Sequence, residues 1–169
     1  KPYLDIGFID IFNSDIVTNR GGKQIELYNK YFYDIVKEEK YKWFFVLDLD
    51  EFLYSPKEIN LKNILSKYDD YSQLHIRWQN FGSNSFIEQP DNIVNNFTKR
   101  SRYDYSKTFI SQKYGFKSKD FKGFDVHHCK VDGKTMVFDH RNDTSELIIN
   151  HYAIQSWNYF VNKKTKIGD

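Results

Sequence analysis

The stretch from Lys42 to Pro56, KWFFVLDLDEFLYSP, constrains this chain more than any other. Phe44 to Leu47 form an unbroken apolar run that leads straight into Asp48, Leu49, Asp50 and Glu51. A continuous rather than alternating run is what a strand covered on both faces requires, as in the middle of a parallel sheet. Carboxylates crowded at the end of such a strand disfavour one another's ionised form. The fold therefore has to supply something positive beside them.

The flanking segments extend this to an α/β expectation. Tyr3–Phe12 carries Leu4, Ile6 and Phe8 in alternation and predicts a strand. Ile25, Tyr28, Phe32, Ile35 and Val36 recur at helical spacing and predict a helix over Lys23–Lys40. Residues 3–50 then read as strand, helix, strand, a βαβ unit in which ligands gather beyond the carboxyl ends of the strands. Asp48, Asp50 and Glu51 lie at that end. Downstream, Leu61–Tyr68 predicts a short helix capped by Asn60. Gln73–Trp78, Lys107–Gln112, Phe124–Cys129 and Leu147–Tyr152 predict strands, and Asp132-Gly133 marks a hairpin turn between Val131 and Thr135–Phe138. Ser156 is placed to cap a helix over Trp157–Lys164. The 169 residues fit one domain spanning 1–169.

Charge and cysteine usage narrow the function. A net charge of +2 argues against a dedicated nucleic-acid binder, which carries a basic face. The single Cys129 cannot form an internal disulfide, which favours a reducing, cytoplasmic setting. No apolar run approaches a transmembrane length.

On an extended strand Asp48 and Asp50 would share a face, their Cα atoms roughly 6–7 Å apart. Hard cations such as Mg²⁺ and Mn²⁺ take carboxylate oxygens, often only one or two, and leave other positions to water and phosphate. The plainer alternative is that these acids cap a loop or pair with surface lysines. Other chemistries fit less well. Haloacid-dehalogenase-like phosphatases want Thr or Val where Phe52 stands, and neither a Walker loop nor a Gly-x-Ser-x-Gly elbow is present. His127-His128-Cys129 cannot easily all face one zinc ion.

Several motifs in order then carry a resemblance. Trp43-Phe44-Phe45-Val46-Leu47-Asp48-Leu49-Asp50-Glu51-Phe52-Leu53 resembles the W-x-x-x-x-D-x-D-E-F-L signature of glycosyltransferase family 92 and its family-2-like relatives. Arg77–Asn84 is similar to the family's W-x-x-F-G-S segment, and Pro90 with Phe97–Arg100 to its P…ERFT-R stretch. Lys107 resembles the lysine that opens the next strand. The segment from Asn150-His151-Tyr152 through Ser156 to Gly168-Asp169 resembles the closing N-H-Y…S…F…K…G-D block. The resemblance implies a GT-A-like fold, a Rossmann-type mixed sheet flanked by helices, here lacking the family's first strand–helix unit. It implies a nucleotide-sugar donor, UDP-linked, and a glycan, protein or lipid acceptor. Asp48 and Asp50 become the Asp-x-Asp pair, and His151 a further ligand of Mn²⁺ or Mg²⁺.

The remaining expectations follow from these. Lys163, Lys164 and Lys166 could meet the departing diphosphate. Trp78 could stack on a sugar or sit in the core. Asn80 and Ser83 could hold hydroxyls or shape a turn, and Gly82 could permit a close approach. An inverting transfer needs a general base. Glu88, Asp104, Asp120 and Asp125 are the candidates, with Asp120 and Asp125 foremost.

Overall fold

The computed structural model describes residues 5–12, 21–100, 112–139, 141 and 145–165. In chain order the elements are α1 (Gly21–Lys37), β1 (Trp43–Val46), β2 (Glu51–Tyr54), α2 (Leu61–Ser66), β3 (Gln73–Asn80), α3 (Ile93–Asn96), β4 (Gln112–Lys117), β5 (Phe121–Phe124), β6 (Cys129–Val131), β7 (Thr135–Phe138), β8 (Ile148–His151) and α4 (Trp157–Tyr159). A π-helical turn, Phe160–Lys164, continues α4.

A six-stranded mixed sheet runs β1-β4-β3-β8-β2, with β7 also paired to β3. Strand β3 forks. Its first half pairs in parallel with β7, and its last residues pair in parallel with β8. Strand β4 lies antiparallel to both β1 and β3, and β2 lies antiparallel to β8. It follows that β1, β3, β7 and β8 point the same way and end at one edge. The start of β4 lies at that same edge.

Apolar residues cover both faces. Val36 of α1 packs with Tyr114, Phe116, Phe121, Phe124 and Cys129, and Phe44 and Val46 join from β1. On the other face Ile64 of α2 packs with Leu74, Ile76, Phe138, Leu147 and Ile149, joined by Trp43 and Phe45. Neighbouring β1 residues thus serve opposite cores, which explains why its sequence does not alternate. Asn60 Oδ1 accepts the Lys62 N–H and Ser156 Oγ accepts the Tyr159 N–H, so both expected caps form.

Several expectations are corrected. Residues 5–12 contain no strand: Gly7 at φ +66° turns the chain, and Ile6, Phe8 and Ile11 are exposed. There is accordingly no βαβ unit over the described part of 3–50, and β1 sits at the end of the described sheet order with an antiparallel neighbour. Phe124–Cys129 is no strand. It spans the end of β5, a turn and the start of β6, which together form a separate two-stranded ladder. The chain does turn between β6 and β7, but these do not pair as a hairpin, because β7 joins β3 instead. The strand expected at Lys107–Gln112 falls on residues 107–111, outside the described residues, and Gln112 opens β4.

Gly115 pairs with Phe45 across β1 and β4, and the phenyl ring lies over it. A Cβ at Gly115 would overlap that ring. Gly115→Ala is therefore expected to cost about 1–3 kcal/mol of stability, the range typical of overpacking a core. A urea melt reads the loss as a lower midpoint with an unchanged slope.

Candidate active site

The acidic segment does not continue β1 as an extended strand. Residues 48–51 form a tight turn into β2. The Glu51 N–H donates to the Asp48 carbonyl at 3.0 Å, and the Asp48 N–H donates to Glu51 Oε2 at 3.0 Å. Leu49 is left wholly exposed at the tip. The β2–β8 ladder pairs Glu51 with His151, and the Tyr152 N–H donates to the Asp50 carbonyl at 3.0 Å. Residues distant in sequence are thereby registered at one sheet edge.

Asp48, Asp50, Trp78, Lys113, His127 and His151 line one cleft of about 790 Å³ there, with Gln24 and Phe160 at its margins. A second groove of about 710 Å³ lies against the same turn and shares Gln24, Asp48 and Asp50 with the first. Both volumes suit a small ligand.

The positive partner demanded by the acids is Lys113 on β4. Its side chain is 1% exposed, and its Nζ lies 2.8 Å from Asp48 Oδ2. Asp50 faces a different group. Its Oδ1 lies 3.8 Å from His151 Nε2, and both side chains are largely buried. Asn80 Oδ1 lies 3.0 Å from His151 Nδ1. An Nδ1–H donated to the Asn80 amide oxygen orients the ring and turns Nε2 toward Asp50. The His151 ring also rests against Trp78, 4.4 Å between centroids, and His127 meets Trp78 edge-on from the hairpin turn at 6.1 Å.

Glu51 ends the same turn. It is 5% exposed, and its Oε1 has no partner among the described residues. Burial pushes its carboxyl up to about 7, and Asp48 and Asp50 add to the rise. The hydrogen bond from Asp48 and the charge of Lys113 oppose it.

Of the residues expected from sequence, Asp48, Asp50, Trp78, Asn80 and His151 meet here. Asp120 does not: it follows β4, at the opposite end of that strand from Lys113. Asp125 starts the turn that carries His127. It lies 3.5 Å from His128 Nε2 and does not line the cleft. Gly82 and Ser83 shape a loop, with the Gly82 N–H donating to the Lys99 carbonyl and the Ser85 N–H to Ser83 Oγ. Glu88 is engaged by Asn158. Lys163 is exposed on the turn whose Phe160 borders the cleft. Asp104, Lys107 and Lys166 lie outside the described residues. Sequence reasoning missed Lys113 and His127. Lys113 is the second residue of β4, pairs with Ile76 of β3, and is buried, which its sequence neighbours do not reveal. Burial pushes the Cys129 thiol up to about 12, which leaves it inert as a nucleophile.

A mixed α/β sheet with acids, imidazole and a buried ammonium gathered at the ends of its parallel strands defines a ligand-binding edge of the kind enzymes use. The family model for glycosyltransferase family 92 matches residues 35–169, and the chain belongs to that family. It is a glycosyltransferase, acting between a sugar donor and an acceptor. No curated protein matches the sequence. Among the described residues, no helix is long and apolar enough to cross a membrane.

Proposed function

We propose that this glycosyltransferase has a GT-A arrangement and moves a sugar from a UDP-linked donor to an acceptor hydroxyl, with a divalent cation, Mn²⁺ in the first instance, at Asp50 and His151. The observation that carries the reading is the approach of Asp50 Oδ1 and His151 Nε2 to 3.8 Å, held by the β2–β8 ladder and by Asn80. A carboxylate and an imidazole nitrogen held this close call for a positive charge between them, which a proton or a cation supplies. For bonds near 2.1 Å, two ligands of one cation stand between about 3 and 4.2 Å apart. The separation falls inside that span. Among the described residues no three of His, Cys, Asp or Glu converge into a ready-made metal cluster. Two protein ligands suit a cation that keeps waters and takes phosphate oxygens, and a mixed oxygen and imidazole set suits Mn²⁺.

When bound, the cation would neutralise charge developing on the diphosphate leaving group. The protein's own part is positional. Asn80 orients His151, and the tight turn fixes Asp50 between two adjoining cavities, one for each substrate of a transfer. His127 also lines the cleft, against Trp78, and takes the proton of the acceptor hydroxyl in an inverting displacement. That role falls to it rather than to Asp120 or Asp125, because it is the titratable side chain of that segment that lines the cleft.

Thermal denaturation with UDP, ADP or GDP, with and without Mn²⁺, tests the reading. UDP with Mn²⁺ is expected to raise the melting temperature by several degrees at saturating ligand. UDP alone should do less, and the other nucleotides least. Absence of any shift with every nucleotide would end the donor assignment.

A further inference from the structure

We propose that Lys113 and Asp48 form an exchangeable ion pair that couples diphosphate binding to cation binding. The inference rests on the donor reading above. A lysine 1% exposed is tolerated only because it is paired. Its ammonium has three donors, and Asp48 is its hydrogen-bonding partner among the described residues. Asp48 is the more accessible member, its side chain 47% exposed, while Lys113 is fixed at the cleft floor by its ladder position opposite Ile76. The carboxylate is therefore the mobile member and the ammonium the stationary one.

The charges give the pair its consequence. While Lys113 holds Asp48, that carboxylate is neutralised, and a cation approaching it meets an ammonium 2.8 Å behind. A cation alone then has only Asp50 and His151. A diphosphate entering the cleft offers Lys113 new charge-assisted partners and releases Asp48 to face the cation. Lys113 thus does for the diphosphate what the exposed Lys163 was expected to do, and it does so from a fixed position. Diphosphate and cation should bind in a mutually reinforcing way, each tightening the other by the same factor.

Isothermal titration of the full chain with Mn²⁺ alone, UDP alone, and UDP over saturating Mn²⁺ tests this on wild type, Lys113→Met and Asp48→Asn. In Lys113→Met, Mn²⁺ alone is expected to bind about tenfold tighter, since Asp48 is no longer neutralised, and UDP alone about tenfold weaker. The two affinities move in opposite directions, which mere loss of packing would not produce. In Asp48→Asn, UDP alone should bind about tenfold tighter, because the ammonium is released and one repelling carboxylate is gone. Circular dichroism checks each fold, and if Lys113→Met does not fold, the Asp48→Asn titration decides. Mn²⁺ and UDP affinities both unchanged in Lys113→Met, or UDP no tighter in Asp48→Asn, would overturn the exchange while leaving the donor reading intact. If UDP fails to bind wild type with or without Mn²⁺, the donor reading fails and the pair is structural only.

Discussion

Asp50→Ala should lower the affinity for UDP in the presence of Mn²⁺ at least ~100-fold, with sugar transfer lost in step, while the melting temperature of the ligand-free protein stays level or rises. The asymmetry comes from what Asp50 touches. Its Oδ1 faces a histidine nitrogen, and its charge adds to the repulsion on Glu51. Removing it costs the empty protein little, because its 3.8 Å contact with His151 is longer than a hydrogen bond and Asn80 still holds the ring. On the proposed function, the loaded protein loses one of two protein ligands. Loss of a mere outer-shell partner already costs 10–100-fold in metal affinity, so loss of a direct ligand should cost at least the upper figure. Titration of UDP over saturating Mn²⁺, beside a melt without ligand, measures both halves. Full UDP affinity in the variant would remove Asp50 from the cation site.

The site was legible in sequence where chemistry is carried by short motifs, and illegible where it depends on pairing. Asp48, Asp50 and His151 could be read because acids after an apolar run and a histidine at a strand end are local patterns. Strand β1 shows the limit. Its unbroken apolar run packs toward both cores, though each residue is only half-buried at the end of the described sheet, and Trp43–Val46 says nothing about whether its neighbour runs parallel or antiparallel; that neighbour, β4, is antiparallel. Lys113 was hidden for a related reason. In QKYGFK the lysines at 113 and 117 look like the solvated side of an alternating strand. Both are buried: Lys117 lies over the Trp43 ring at 5.3 Å, and Asp48 meets Lys113. The first strand failed on one residue, Gly7, whose positive φ ends an alternation that composition alone would have continued. His127 was read as part of a strand. It reaches the cleft because the β5–β6 hairpin turns just before it.

Glu51→Gln is expected to make the ligand-free protein more stable at pH 8 by about 3 kcal/mol while changing little at pH 5. Burial raises the Glu51 carboxyl from its ordinary 4.5 to about 7 in the folded state. Between these values the folded protein binds a proton that the unfolded chain has already lost. Stability is therefore full below pH 4.5 and falls as pH rises through about 7, at ~1.4 kcal/mol for each pH unit crossed between the two. Glutamine has the shape of the protonated acid, keeps an oxygen for the Asp48 N–H, and has no charge to expose. Its melting temperature should exceed wild type by roughly 6–12 °C at pH 8, taking 2–4 °C per kcal/mol for a domain of this size, with the curves converging toward pH 5. The position matters for function because Asp48, Asp50 and Lys113 all act on the same carboxyl. Burial is the larger part of the cost and the neighbouring carboxylates the smaller, and Glu51 is where both are read. Curves offset by the same amount at every pH, or curves that coincide throughout, would show that the ionisation of Glu51 is not its source.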